Sequence, residues 1–120
     1  MSVIANKVQS ILNKMFPANP HRRVFSEYFV NYKGSRLFFD FFIKELNLFV
    51  EVQGRQHVEF VKHFHNDVKA FYNQKHRDNL KIEYVQEQNK CLIRLYDTEK
   101  ITEGLIRKKI NKAMEFGFYE

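Results

Sequence analysis

Phe38 to His57 reads FFDFFIKELNLFVEVQGRQH. Two apolar runs, "LFFDFFI" and "LFVEVQ", each carry one acid, Asp40 in the first and Glu51 in the second. The short "ELN" between them is a turn signal, so the pattern is two strands joined closely. Residues two apart on a strand share a face, which sets Asp40 beside Phe38 and Phe42, and Glu51 beside Gln53. Both faces of the first run are apolar. That strand is therefore expected at the centre of a sheet, covered on both sides. Neighbouring strands with a short connection let Asp40 and Glu51 converge at one end of the sheet. Gly54 ends the second strand and permits a sharp turn or a close ligand approach, and His57 follows within reach.

The elements on either side follow from this pair. Upstream, "VFSEYFVNY" (24–32) is a strand, and "KGS" turns it back into the run that holds Asp40. Before it, Ile4, Val8, Ile11, Leu12 and Met15 recur at helical spacing over residues 2–15. The prolines of "FPANPHRR" stop that helix. Downstream, Asp67 to about Gln88 is polar and reads as a long helix, and "KCLIRLY" is a fourth strand. Asp97 or Thr98 is the expected cap of a last helix, whose stripe is Ile101, Leu105, Ile106, Ile110 and Met114. The order α-β-β-β-α-β-α predicts an α/β (α+β) fold, a mixed four-stranded sheet flanked by helices. One domain is expected over residues 1–120.

The hydrophobic share, 44%, excludes a disordered chain. A net charge of +6 and a pI near 9.5 favour a polyanionic partner, of which nucleic acid is the commonest. Cys91 is the single cysteine, which excludes an internal disulfide and a cysteine-based zinc site. It sits in an apolar run and reads as a packed small side chain. The N-terminus is too polar for a signal peptide, and no apolar run reaches the length of a membrane span. An intracellular protein without a membrane partner is expected.

Carboxylates in apolar strands need partners. Either a divalent cation holds Asp40 and Glu51, or they pair with Arg36, Lys44 or Arg94. Hard cations such as Mg²⁺ take oxygen ligands, and the Val52 carbonyl lies between the two polar positions. His57 is either a proton carrier or a loop histidine bonded to backbone. On the long helix Phe71, Asp78, Ile82 and Val85 fall on one face. Asp78 there either orients His57 or pairs with Lys75 or Lys81. His63 and His65, two apart, do not share a helical face and make no zinc site.

Taken in order, Asp40, Gly54, His57, Arg77-Asp78, Lys81 and Leu92-Ile93-Arg94 resemble the PD-(D/E)XK nuclease superfamily. The branch they resemble contains very-short-patch-repair endonucleases and phage homing endonucleases with an EDxHD motif. The match runs from about residue 36 to 96. It implies a restriction-endonuclease-like core and a Mg²⁺- or Mn²⁺-dependent DNA endonuclease. By resemblance Asp40 is the first D, His57 the H and Asp78 the second D. Glu51 and Gln53 match the wider superfamily's ExK, with Gln53 in place of Lys. Asp40, Glu51 and the Val52 carbonyl are the implied metal ligands, and His57 the water activator. Arg55, Arg77 and Lys81 are candidates for phosphate, with Arg22, Arg23, Arg107 and Lys108 tracking the DNA backbone. The alternative for these is solvated surface charge. One departure is plain: the leading acid belongs on the first helix, near Ala5 or Asn6, and no acid precedes Glu27. The alternatives are a catalytically impaired DNA-binding module and a resolvase-like, structure-specific DNase. The resemblance also implies a bacterial cytoplasm, a phage gene, and specificity from a homodimer or a fused DNA-binding domain.

Overall fold

The computed structural model describes residues 1–54 and 68–120. Helix α1 (Val3–Met15) starts where Ser2 Oγ accepts the N–H of Ala5 at 3.1 Å. Ala5, Val8 and Leu12, spaced three and four apart, form its buried edge. It ends at Phe16, because the residue before Pro17 is pushed out of helical geometry. Strands β1 (Val24–Tyr32) and β2 (Ser35–Ile43) form a hairpin. Lys33 and Gly34 both have positive φ at its tip, the turn whose twist matches the strands. A single 3₁₀ turn, closed by Asn47 in the left-handed region, leads into β3 (Leu48–Gln53).

Helix α2 (Val68–Glu87) and β4 (Cys91–Tyr96) follow. After them come α3 (Glu103–Phe116) and a short β5 (Phe118–Tyr119). The sheet order is β1-β2-β3-β4-β5. The β1–β2 and β2–β3 pairs are antiparallel, while β3–β4 and β4–β5 are parallel. Val8 and Leu12 of α1 join Ile106, Ile110 and Ala113 of α3 on one face, over Val50, Ile93 and Leu95. Leu80 and Val85 of α2 cover the other face, over Leu37, Phe39, Phe49 and Leu92. Among the described residues no helix is long and apolar enough to cross a membrane.

Three expectations need correction. The sheet has five strands, not four. Gly117, at φ 88, ends α3 and turns Phe118 and Tyr119 onto the edge of β4. The cap of α3 is Thr102, whose hydroxyl accepts the N–H of Leu105, and not Asp97 or Thr98. Those two lie in a turn in which Glu99 Oε1 accepts the N–H of Tyr96 and the Tyr96 carbonyl accepts the N–H of Glu99. Ile101 precedes the helix and packs with Ile106 in the same core, a hydrophobic staple, while Met114 points out, half exposed.

The third correction concerns faces. Phe42 packs with Phe49 under α2, whereas Phe38 is 55% exposed on the opposite side. The period-2 pattern breaks between them. Ser26 pairs with Phe41 and Tyr28 with Phe39, so Glu27 and Asp40 face each other at the one skipped rung. Glu27 is in the left-handed region, φ 53, which kinks the ladder and moves later side chains to the other face. Beyond the kink no residue of β1 or β2 joins the α1/α3 core, so among the described residues the outer half of the hairpin is covered on one side only.

Candidate active site

Asp40 stands where two strands part. The β2–β3 ladder pairs Ile43 with Leu48, Phe42 with Phe49 and Phe41 with Val50, and then stops. Beyond that rung β3 continues against β4 alone, as far as Gln53 opposite Tyr96. The N–H of Val52, released from the β2–β3 ladder, donates to Asp40 Oδ2 at 2.7 Å. A carboxylate thus caps a backbone donor at the fork, and the kink at Glu27 and Asp40 sets it there.

Glu51 is the next residue along β3 after the last paired rung, and it is only 4% exposed. Parallel pairing places it opposite Arg94 of β4. Its Oε2 accepts from Lys81 Nζ of α2 at 2.6 Å. Arg94 Nε lies 3.6 Å from Glu51 Oε1, close enough to attract but too long for a hydrogen bond. Arg94 Nη2 donates to the Asp78 carbonyl at 2.8 Å, which fastens β4 to α2. Asp78 and Gln53 are buried as well. Burial pushes the Glu51 carboxyl above its ordinary value, and the Asp78 charge adds to that. Lys81 and Arg94 oppose the shift without cancelling it.

The cluster is not fully satisfied. Glu51 Oε1, Gln53 Nε2 and Arg94 Nε are buried with no hydrogen-bond partner among the described residues. Such orphans are uncommon in folded chains and mark places where a further group belongs. A hard divalent cation takes oxygen donors from one or two carboxylates, with waters and phosphate oxygens completing the set. Asp40 and Glu51 Oε1 fit that donor chemistry. Among the described residues no three His, Cys, Asp or Glu side chains converge as a full protein cage.

A cleft of about 170 Å³ opens beside the cluster, lined by Arg36 and Phe38 of β2 and by Arg77, Asp78 and Lys81 of α2. A larger opening of about 470 Å³ lies between α1 and β1, where Gln9, Asn13 and Arg22 line it. Among the described residues its wall has no acid, and its one hydroxyl, Ser26, has no titratable base beside it, so size is not the guide here. The smaller cleft touches the charged cluster.

The structure therefore gathers Asp40, Glu51, Val52, Gln53, Asp78, Arg77 and Lys81 in one region. Arg55, His57, His63, His65 and Asp67 lie outside the described residues. The remaining basic candidates are elsewhere. Arg23 Nε donates to Glu45 at 2.5 Å, and Arg107 pairs with Glu103 one helical turn away at 2.8 Å. Arg22 lines the large opening and Lys108 is exposed on α3. Ala5 is buried in α1, whereas Asn6 beside it is exposed. Lys81 is not the solvated charge that its sequence suggests. It sits three residues after Asp78 and four before Val85, the spacing of the buried face of α2, and that spacing was the available signal.

No family model matches the chain, and no solved structure matches it. The chain is similar to "Uncharacterized protein 307L" of Invertebrate iridescent virus 6, at 41% identity over 61 residues. That match covers 51% of this chain and 31% of the viral protein's length.

Proposed function

We propose that this chain is a metal-dependent DNA endonuclease of the PD-(D/E)XK type, hydrolysing phosphodiester bonds at the β2–β3 fork. The observation that carries the reading is Asp40 at the fork beside a buried Glu51–Lys81 pair with unfilled polar capacity. A structural ion pair has no need of orphaned donors and acceptors beside an open cleft. A phosphate substrate with its divalent ion supplies both charges that the cluster lacks.

Asp40 and Glu51 would hold Mg²⁺ or Mn²⁺. When bound, such an ion polarises the scissile phosphate and offsets the charge on the leaving oxygen. The chain's own groups do the rest. Gln53, where the superfamily motif has Lys, carries no charge. Lys81, reaching the same carboxylate from α2, brings an ammonium to that spot. Its position lets it stabilise charge that develops on the phosphate. Arg77, at the mouth of the cleft, is placed to hold a neighbouring phosphate. His57, by its place in the motif, is the proposed acceptor of the proton of the attacking water, with Asp78 as its orienting acid.

The second reading is a DNA-binding module that does not cut. Two observations favour it: the first turn of α1 has no acid, and Lys81 already occupies Glu51 Oε2. Plasmid nicking with Mg²⁺ or Mn²⁺ separates the two readings, comparing the chain with Asp40→Ala and Lys81→Met. Metal-dependent nicking that both variants lose supports the enzyme. No nicking, even with Asn6→Glu, leaves the binding module. DNA, a homodimer or a fused reader domain, and a cytoplasmic setting in a bacterial host belong to this proposal.

A further inference from the structure

The outer half of the β1–β2 hairpin carries a feature that hydrolysis does not require. Phe29 and Phe38 are directly paired across the two strands, with ring centroids 5.8 Å apart. They are 48% and 55% exposed, on the face that α1 and α3 leave uncovered. Arg36, two residues before Phe38, lays its guanidinium over the Phe29 ring at 4.8 Å. Its partner across the ladder is Asn31, also exposed. Arg36 and Arg77 form no ion pair among the described residues, and both line the cleft that Phe38 borders.

Exposed aromatic pairs are costly in water unless something covers them. The charge around this pair selects what does. Arg36 lies over the Phe29 ring and the exposed Arg77 lines the adjoining cleft, whose only acid among the described residues is the buried Asp78, and the chain has a net charge of +6. An apolar protein partner or a lipid tail would gain nothing from the arginines. A nucleic-acid strand with unstacked bases uses both features, since bases stack on aromatic faces while cations follow the phosphates. A paired duplex hides those base faces.

We infer that Phe29, Phe38 and Arg36 form a stacking platform for unpaired nucleotides, leading a single-stranded or splayed DNA segment into the cleft beside Asp78. This deepens the endonuclease reading, on which it rests for its DNA partner, by naming the substrate class: DNA with unpaired bases next to the cut. The kink at Glu27 and Asp40 serves both parts. It turns the outer hairpin so that the face bearing Phe38 is uncovered, and it sets Asp40 at the fork.

The test is binding without divalent metal. Fluorescence anisotropy compares a labelled oligothymidylate with an abasic oligomer of equal length and charge. The intact chain is expected to prefer the oligothymidylate by about tenfold, the scale of base–aromatic stacking. Phe29→Ala/Phe38→Ala should erase that preference and leave the salt slope unchanged, because the phosphate contacts stay. Phe38→Tyr, which keeps a ring, should retain it and serves as the folding control. Equal affinity for the two oligomers in the intact chain overturns the inference. So does a double variant that still discriminates, or a concentration-dependent dimer that oligothymidylate does not dissociate, since a second copy would then cover the face. Plasmid nicking is read separately. Discrimination without nicking sinks the endonuclease reading alone, and nicking without discrimination sinks the platform alone.

Discussion

Lys81 and Lys109 are both buried lysines, one on each side of β4, and their surroundings differ. Lys109 of α3 is 2% exposed, and its ammonium donates to three acceptors: the Arg94 carbonyl at 2.7 Å, Glu99 Oε1 at 2.7 Å and the Glu120 carbonyl at 2.8 Å. An ammonium has three protons, so every donor is used. Lys81 of α2 is 9% exposed and among the described residues has one charged partner, Glu51, in a cluster that leaves three buried polar atoms unpaired. The first arrangement is closed and ties β4, the turn after it and the C-terminus together. The second has spare capacity and faces a cleft. Burial of a charge alone does not mark a functional group; incomplete satisfaction next to an opening does.

The largest expected effect is on stability and belongs to the closed cluster. Lys109→Met leaves two backbone carbonyls and Glu99 without their donor. Breaking a buried charged network of this kind costs about 3–5 kcal/mol, read as a lower urea midpoint. Nicking below the unfolding temperature should be unchanged. A loss under about 1 kcal/mol would mean that the three bonds are replaceable by solvent, and the contrast between the two lysines would collapse.

Lys81→Met is the mirror experiment. Glu51 can respond by taking a proton, since burial already raises its pKa, so the stability cost should be smaller, about 1–2 kcal/mol. The nicking rate should fall by about 10²-fold, the scale of removing one preorganised charge from a phosphate site. Intact nicking in Lys81→Met would make Lys81 as structural as Lys109.

The same asymmetry gives a pH signature. The folded-state pKa of Glu51 is raised above the ordinary 4.5. A raised value means that the folded chain binds this proton more tightly than the unfolded chain. The resulting stability is fully present below 4.5 and is lost as pH rises through the folded value. The melting temperature of the intact chain minus that of Glu51→Gln should therefore decline as pH increases from 4.5 upward. A difference that grows with pH over that window would show the Lys81 and Arg94 charges outweighing burial.

Much of this frame was legible in the chain. Apolar runs bounded by turn signals located β1 to β4, helical spacing located α1 and most of α3, a long polar stretch located α2, and apolar strands interrupted by acids pointed at Asp40 and Glu51. What escaped detection was what local pattern does not encode. Glu27 in a left-handed conformation is set by the tertiary fork, because nothing about Glu favours positive φ. It reversed the face of Phe38, and with it the platform. The two residues of β5 are too few for any periodicity to register. The partner of Lys81 lies thirty residues away on another element, so local spacing offered Asp78 as a helix-surface partner and not Glu51. Thr102 is as good a cap by residue type as Thr98, so type alone does not choose between them, and Ile101 fits the helical stripe by spacing although it is the staple before the helix.

Arg94 is where the two clusters meet, and the smallest effect tests whether they are separable. Its carbonyl serves Lys109, while its guanidinium serves Asp78 and Glu51. Arg94→Lys leaves the backbone bond untouched. It replaces a fork of donors with a single ammonium that cannot reach both the Asp78 carbonyl and Glu51. The expected stability loss is about 1 kcal/mol, one buried hydrogen bond's worth. The expected fall in nicking is about tenfold, less than for Lys81→Met because a positive charge remains beside Glu51. If Arg94→Lys instead unfolds the chain as severely as Lys109→Met, the clusters are one cooperative network, and stability and activity cannot be assigned to opposite sides of β4. If it lowers nicking alone, the side chain of a single strand residue belongs to the site while its backbone belongs to the scaffold.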